Sequence, residues 1–263
     1  MTFALSRSIS DIRDGFAHHA LWRCLAHQNI RHQYARSFFG PFWITLTTGV
    51  WVAAMSAVFG GLFGAPLKEV TPHITIGIVL WMFLSSIMND GANALVQNRG
   101  YMLQFRTPVA TFVWLIFYRN LIILAHNAVI VPIALIIFRT PPTAEIGLLL
   151  IGLPIWAMFC FGSALLLAVM TPRFRDIGPL VGMVMQVGFF FTPVVWRETD
   201  LRANQFVVDL NPFAHLIAVV RDPLLGSAPS LTDWLVSAGS AAGVVVLGVA
   251  LLAFTGRRVM YWV

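Results

Sequence analysis

Six apolar blocks, residues 42–63, 73–94, 111–138, 146–170, 177–196 and 232–255, take up most of this 263-residue chain. A hydrocarbon core about 30 Å thick needs about 20 apolar residues in a helix that rises about 1.5 Å per residue. Each block meets or nearly meets that length, and few hold a formal charge. Inside lipid no water satisfies the backbone amides, so segments of this kind are helices. The pattern predicts an all-α polytopic membrane protein with six transmembrane helices in a single membrane domain spanning 1–263. A mean hydropathy of +0.79 with 11% charged residues, against about 25% in soluble domains, points the same way.

The net charge of +6 would suit nucleic acid only if it were massed on one face, and it is spread along the chain. Basic residues read instead as topology, because Lys and Arg collect in cytoplasmic segments. With six spans both termini share one side. Placing that side in the cytoplasm puts Arg7, Arg13, Arg23, Arg31, Arg36, Arg99, Arg106, Arg173, Arg175, Arg257 and Arg258 inside. Lys68, Arg139, Arg197, Arg202 and Arg221 then lie outside, and Arg119 falls within a span. The bias predicts cytoplasmic termini. The two cysteines, Cys24 and Cys160, fall on a cytoplasmic segment and in a span, so no disulfide is expected. The first forty residues have no apolar core and small-residue cleavage site of the kind a removable signal peptide carries.

Three segments between the blocks have character of their own. Residues 10–38 place Ile12, Phe16, Ala20, Leu21, Cys24 and Leu25 at helical spacing, with Arg13, Arg23, His27 and Arg31 between them. Ser10 suits an N-cap. This predicts an amphipathic interfacial helix, basic on its wet face, serving as an anchor or as a platform for a partner or an anionic headgroup. Residues 98–108 set apolar Tyr101, Met102, Leu103 and Phe105 between Arg99 and Arg106, an exposed apolar knob of the sort that marks a contact surface. Residues 197–231 hold Asn211-Pro212, a strong helix start, followed by Phe213, Leu216, Ile217, Val220 and Leu224 at helical spacing. Two short half-apolar helices there suggest a re-entrant hairpin that plugs the bundle or gates it.

Charges inside a membrane need partners or water. Asp90 lies fourteen positions before residue 104, the middle of the second connection, and Arg119 fifteen after it. In an antiparallel hairpin the two reach similar depth, so a buried ion pair is expected, direct or through Asn120 or Asn93. His126, Asn127 and Ser163 also fall within spans, but no Gly-x-Ser-x-Gly and no metal-spaced His pair accompanies them, which speaks against catalysis and against a metal site. Gly60/Gly64 and Gly239/Gly243 carry the spacing that permits close helix approach. The only lysine is Lys68, followed by Glu69, so the chain lacks a nucleotide-cradling P-loop.

Several runs then form a recognisable series: Gly40-Pro41-Phe42-Trp43, Arg119-Asn120 through His126-Asn127, Arg173-Phe174-Arg175-Asp176-Ile177, Phe190-Phe191-Thr192-Pro193-Val194, and Asn211-Pro212-Phe213 through Arg221-Asp222-Pro223-Leu224-Leu225-Gly226. In this order the chain resembles the membrane subunit of ABC-type polysaccharide and polyol-phosphate exporters, the O-antigen and teichoic-acid export permeases. The resemblance implies a homodimer carrying two copies of a P-loop ATPase, which bind the ATP and magnesium. No cofactor is then held by this chain. It also implies a polymer cargo on a polyprenyl pyrophosphate lipid. On that footing Arg99, Tyr101, Met102, Gln104, Phe105 and Arg106 dock the ATPase together with the N-terminal helix. Residues 197–227, with Asn211, Pro212, Phe213 and Arg221, form the external gate. Spans one and five line the conduit, where Trp43, Trp51, Phe59, Phe189, Phe190 and Phe191 offer ring faces to sliding sugars. Arg31 and Arg36 stand where the pyrophosphate would pass. Two alternatives are an exporter of a drug or small lipid and a membrane enzyme acting on a lipid-linked sugar.

Overall fold

A computed structural model describes residues 2–33, 35–104, 107–197 and 205–262, and every regular element among them is helical. Two amphipathic helices, α1 (Thr2–Ala17) and α2 (His19–Gln33), precede the first long apolar helix, α3 (Phe42–Phe63). Next come α4 (Leu67–Gln97), the one-turn α5 (Arg99–Gln104), α6 (Ala110–Ala128) and α7 (Ile130–Ile137). A 3-10 turn (Ala144–Leu148) leads into α8 (Leu149–Met170), followed by α9 (Ile177–Phe191), α10 (Gln205–Asp209), α11 (Pro212–Leu225) and α12 (Leu231–Trp262). Among the described residues, five helical stretches are long and apolar enough to cross a membrane.

The third and fifth apolar blocks are not single uninterrupted helices. The third is split at Val129 into α6 and α7. Pro132 lacks the N–H that would close onto the carbonyl of Ala128, which loosens the helix there. The fifth stops at Phe191, because Thr192 turns extended (φ −100°, ψ 138°) ahead of Pro193, and the residue before a proline avoids the helical region. Its 15 residues give α9 a length of about 22 Å, short of the hydrocarbon thickness.

The N-terminal segment also departs from expectation. Its helix begins well before Ser10, and Ser10 is no cap: its hydroxyl donates to the Arg7 carbonyl, 2.8 Å away, inside α1. The chain bends at His18, whose Nδ1 meets the Asp14 carbonyl at 2.6 Å, so two helices stand in place of one. Elsewhere the ends follow local chemistry. α11 starts on Asn211, whose Oδ1 accepts from the Phe213 amide at 3.0 Å, and stops at Gly226 (φ +83°). Ser230 and Asp233 exchange hydrogen bonds at the start of α12, Ser230 N to Asp233 Oδ2 at 2.8 Å and Asp233 N to Ser230 Oγ at 3.1 Å, a capping box.

α4 is the axis of the bundle. In its most apolar stretch 83% of residues are buried, against 22% in α3 and in α12. It packs on α3, α6, α7, α8, α9 and α11, so α3, α9 and α12 form the periphery. The most extensive helix pair is α8 with α12, and its close approach occurs at Gly162 and Gly248, where a Cβ on Gly162 would sit 2.7 Å from Val245 Cγ2. Gly239 and Gly243 do not make this seam, for nothing lies within 4 Å of either would-be Cβ. α8 also meets α11 at Gly152, whose Cβ would lie 2.4 Å from the Val219 carbonyl oxygen. Gly152→Ala must therefore push α11 off α8, and a loss of about 1–3 kcal/mol is expected from such overpacking. Unfolding in detergent at an unchanged midpoint would contradict it.

Candidate functional site

Three groups of residues stand out from the apolar bundle. The first is the intramembrane charge pair. Asp90 on α4 and Arg119 on α6 form a direct ion pair, and Asn120 Nδ2 donates to the same carboxylate oxygen at 2.8 Å. Both charged side chains are largely buried, 24% and 18% exposed. Asn120 also donates to the Ile116 carbonyl at 3.0 Å, which fixes its amide. Asn93 takes no part; its Nδ2 donates to Asn89 O at 2.9 Å along α4. The arrangement neutralises charge. His126 Nδ1 meets the Ile122 carbonyl of its own helix at 2.8 Å, and Ser163 is buried without a partner. No group of three metal-ligating side chains occurs among the described residues.

The second group clamps the end of α9. Arg221, assigned by sequence to the external gate helices, is only 4% exposed. Its Nη1 donates to the Pro193 carbonyl at 2.5 Å and lies 3.4 Å from His73 Nε2 on α4, while Nε donates to Asp222 Oδ1 at 3.3 Å. His73 Nε2 is in turn 3.1 Å from the Trp196 carbonyl. Asn211 reaches the same turn from the other side, donating from Nδ2 to Thr192 Oγ1 at 2.9 Å and to the Phe191 carbonyl at 3.2 Å. The bend at 192–196 is thus tied to both α4 and α11.

α11 itself packs into the bundle. Nine of its residues, Ala214 to Arg221 and Pro223, are buried, wedged among α4, α8 and α12. Phe213 sets the wedge, its ring 5.8 Å from Trp81 and 6.2 Å from Phe159. His215 pins it to α12 through a 2.6 Å contact with Asp233 Oδ1. Beside the clamp, α9, α10 and the start of α11 enclose an apolar groove of about 400 Å³ lined by Met183, Val187, Phe191, Leu210 and Phe213. Of the other conduit candidates, Trp43, Trp51, Phe190 and Phe191 are exposed. Phe59 and Phe189 are partly buried against the core, Phe189 lying edge-on to Trp81 at 6.0 Å.

The third group lies at the opposite end of α4. Trp22 of α2 meets Trp114 and Tyr118 of α6 with ring centroids 6.5 and 5.0 Å apart, so the amphipathic pair is docked on the bundle through aromatic contacts. Asp11 completes the docking: its carboxylate accepts from the amides of Ala110 at 2.9 Å and Val109 at 3.3 Å, capping the N-terminus of α6 from another helix. Burial pushes the Asp11 pKa up, and the two amide donors pull it down by less. Asp11 protonation thus favours the docked state; that stabilisation is complete below the ordinary carboxylate pKa and fades as pH rises through the elevated one. Asp11→Ala should cost about 1 kcal/mol and expose the α1–α2 segment to protease, whereas Asp11→Asn, which still accepts one amide, should cost less. Equal protease resistance in all three proteins would remove the cap from the argument.

On α5, Tyr101, Gln104 and Arg99 are exposed, but Met102 is turned inward at 2% exposure. Met102 anchors the turn and is not available as a contact in the single chain. Phe105 and Arg106 lie outside the described residues. Arg31 and Arg36 are exposed, Arg36 with a left-handed backbone (φ +65°).

The ABC-2 type transporter family matches residues 20–225. An O-antigen export system permease protein, RfbA of Myxococcus xanthus, is 22% identical over 257 residues, spanning 94% of this chain and 96% of that protein. The family match runs from α2 through α11 and so takes in the charge pair, the clamp and all but the last long helix, and the chain belongs to the membrane subunits of the ABC-2 type transporter family.

Proposed function

We propose that this chain is the transmembrane subunit of an ATP-driven exporter that moves a lipid-linked polysaccharide across the cytoplasmic membrane. Similarity to an O-antigen export system permease along nearly the whole of both chains carries this reading. The working unit is a homodimer with two copies of a separate P-loop ATPase, which supplies the ATP and magnesium site that a chain without a P-loop lacks. The single transmembrane unit crosses six times, with α9 and the 192–196 bend as the fifth crossing and both termini cytoplasmic. Arg99, Tyr101 and Gln104 offer the ATPase a contact face alongside α1 and α2. Trp43, Trp51, Phe190 and Phe191 present exposed rings on α3 and α9. Such faces bind pyranose rings without demanding one hydrogen-bond pattern, which a sliding polymer requires. The α11 wedge and its Arg221 clamp close the external end.

Removing the gene should abolish surface polysaccharide while its lipid-linked precursor accumulates. The purified chain should draw down a soluble ATPase whose hydrolysis rises on assembly. Intact surface polymer would point to a drug or small-lipid exporter instead, and chemistry by the isolated chain without ATP would point to an enzyme. Arg31→Gln with Arg36→Gln should reduce export without removing the protein from the membrane, and unchanged export would reject their pyrophosphate role.

A further inference from the structure

A cavity of about 240 Å³ lies among the end of α2, α3, α4 and α6, away from the clamp and from the groove on α9. Its polar wall is Gln33, Thr47, Thr48, Ser86, Asn120 and Asn127. No charged side chain among the described residues lines it, and Met82, Phe83 and Ile123 supply an apolar side. The polar wall is built: Thr48 is fully buried, and its single hydroxyl lies 2.9 Å from both Asn127 Oδ1 and the Ile44 carbonyl of its own helix. Thr45 ties α3 to α6 one turn away, donating to the His126 carbonyl at 3.0 Å. Asn127 is 3% exposed and its side-chain amide forms part of this wall. Asn120 on the same wall keeps a buried Oδ1 that no donor meets. It is one of several buried polar atoms without a partner among the described residues, each of them costly to leave so.

We infer that this cavity binds a neutral polyol, one sugar ring or one polyol headgroup. The absence of charge on its walls disfavours an ion, which would be stripped of water without compensation. Amides and hydroxyls alternate donors with acceptors, as vicinal hydroxyls do, and the Met82, Phe83 and Ile123 side suits the C–H face of such a ring. The volume is below the roughly 300–1,000 Å³ of sites for drug-sized ligands, so one ring fits and a chain of rings does not. Gln33 ends α2, so the cavity opens beside the connection from the interfacial pair to α3. A sugar at this site would be the cargo's leading unit and rests on the export reading above; a lipid's polyol headgroup would not.

The test places a thiol in the cavity. Ser86→Cys is made in the full chain with Cys24→Ser, Cys160 being buried, and is reconstituted in phosphatidylcholine nanodiscs. Reaction with a small methanethiosulfonate is timed alone, with methyl glucoside, mannoside or rhamnoside, and with phosphatidylglycerol in the bilayer. Leu150→Cys, 83% exposed on α8, is the control. A probe at about 100 mM should slow position 86 about tenfold if its affinity is about 10 mM, leaving position 150 unchanged. Protection by a glycoside assigns the site to the glycan, and protection by phosphatidylglycerol alone assigns it to a lipid headgroup. A thiol at 86 that never reacts, or reacts equally with every probe, overturns the inference. ATPase co-purification and polymer loss are untouched by that outcome, so the two readings fail separately.

Discussion

Replacing either Asp90 or Arg119 by alanine is expected to cost about 3–5 kcal/mol, because each change strands the other charge inside the bundle. The partners are 24% and 18% exposed, too enclosed for water to take over. Asn120 softens neither loss: with Asp90 gone its Nδ2 keeps only the Ile116 carbonyl, and it brings Arg119 no counter-charge. The double change removes both charges, so its cost should fall below that of either single variant. Fluorescence-detected yield of folded protein and the detergent unfolding midpoint both read this. Additive losses in the double variant would show that the two side chains act independently.

Arg221→Leu is the second large effect. It leaves the Pro193 carbonyl without its 2.5 Å donor and Asp222 without its counter-ion. A loss of about 3 kcal/mol follows from those two terms. Arg221→Lys should recover little of it, since an ammonium cannot reach Pro193, His73 and Asp222 from one forked plane. The signature lies at the bend. Hydrogen exchange should quicken at residues 194–196 well before it does in α4. Under the export reading, polymer transport should fall with the protein still inserted. Wild-type exchange at the bend would refute the clamp.

Long apolar runs expose helices to a reader of sequence because hydropathy is a local property, and the blocks at 42–63 and 146–170 correspond to α3 and to α8 with its leading 3-10 turn. The ion pair is also readable, since two residues nearly equidistant from a tight connection must meet at one depth. Pro132 and Thr192-Pro193 were in view as well, but their effect on helix continuity depends on how neighbours accommodate a missing N–H. Asp11 was not readable. A cap supplied by a residue about a hundred positions away leaves no spacing signal, in contrast to the Asn211–Phe213 cap, which is two residues long. The burial of Arg221 was hidden for a similar reason. Charge counting places it outside, and only the fold of 192–196 back onto α4 reveals acceptors that let a guanidinium be buried.

Arg119 follows Asp90 by 29 residues, and a ribosome adding about 5–20 residues per second takes about 1.5–6 s to make them. Through that interval α4 carries a carboxylate that costs up to about 2.5–3.5 kcal/mol to place in lipid. α4 is apolar enough to cross a membrane by itself, so the unmatched carboxylate weakens its partitioning by up to that amount and does not forbid it. Once α6 is made and the two charges meet, that penalty is relieved, which favours the two helices as a hairpin over α4 alone.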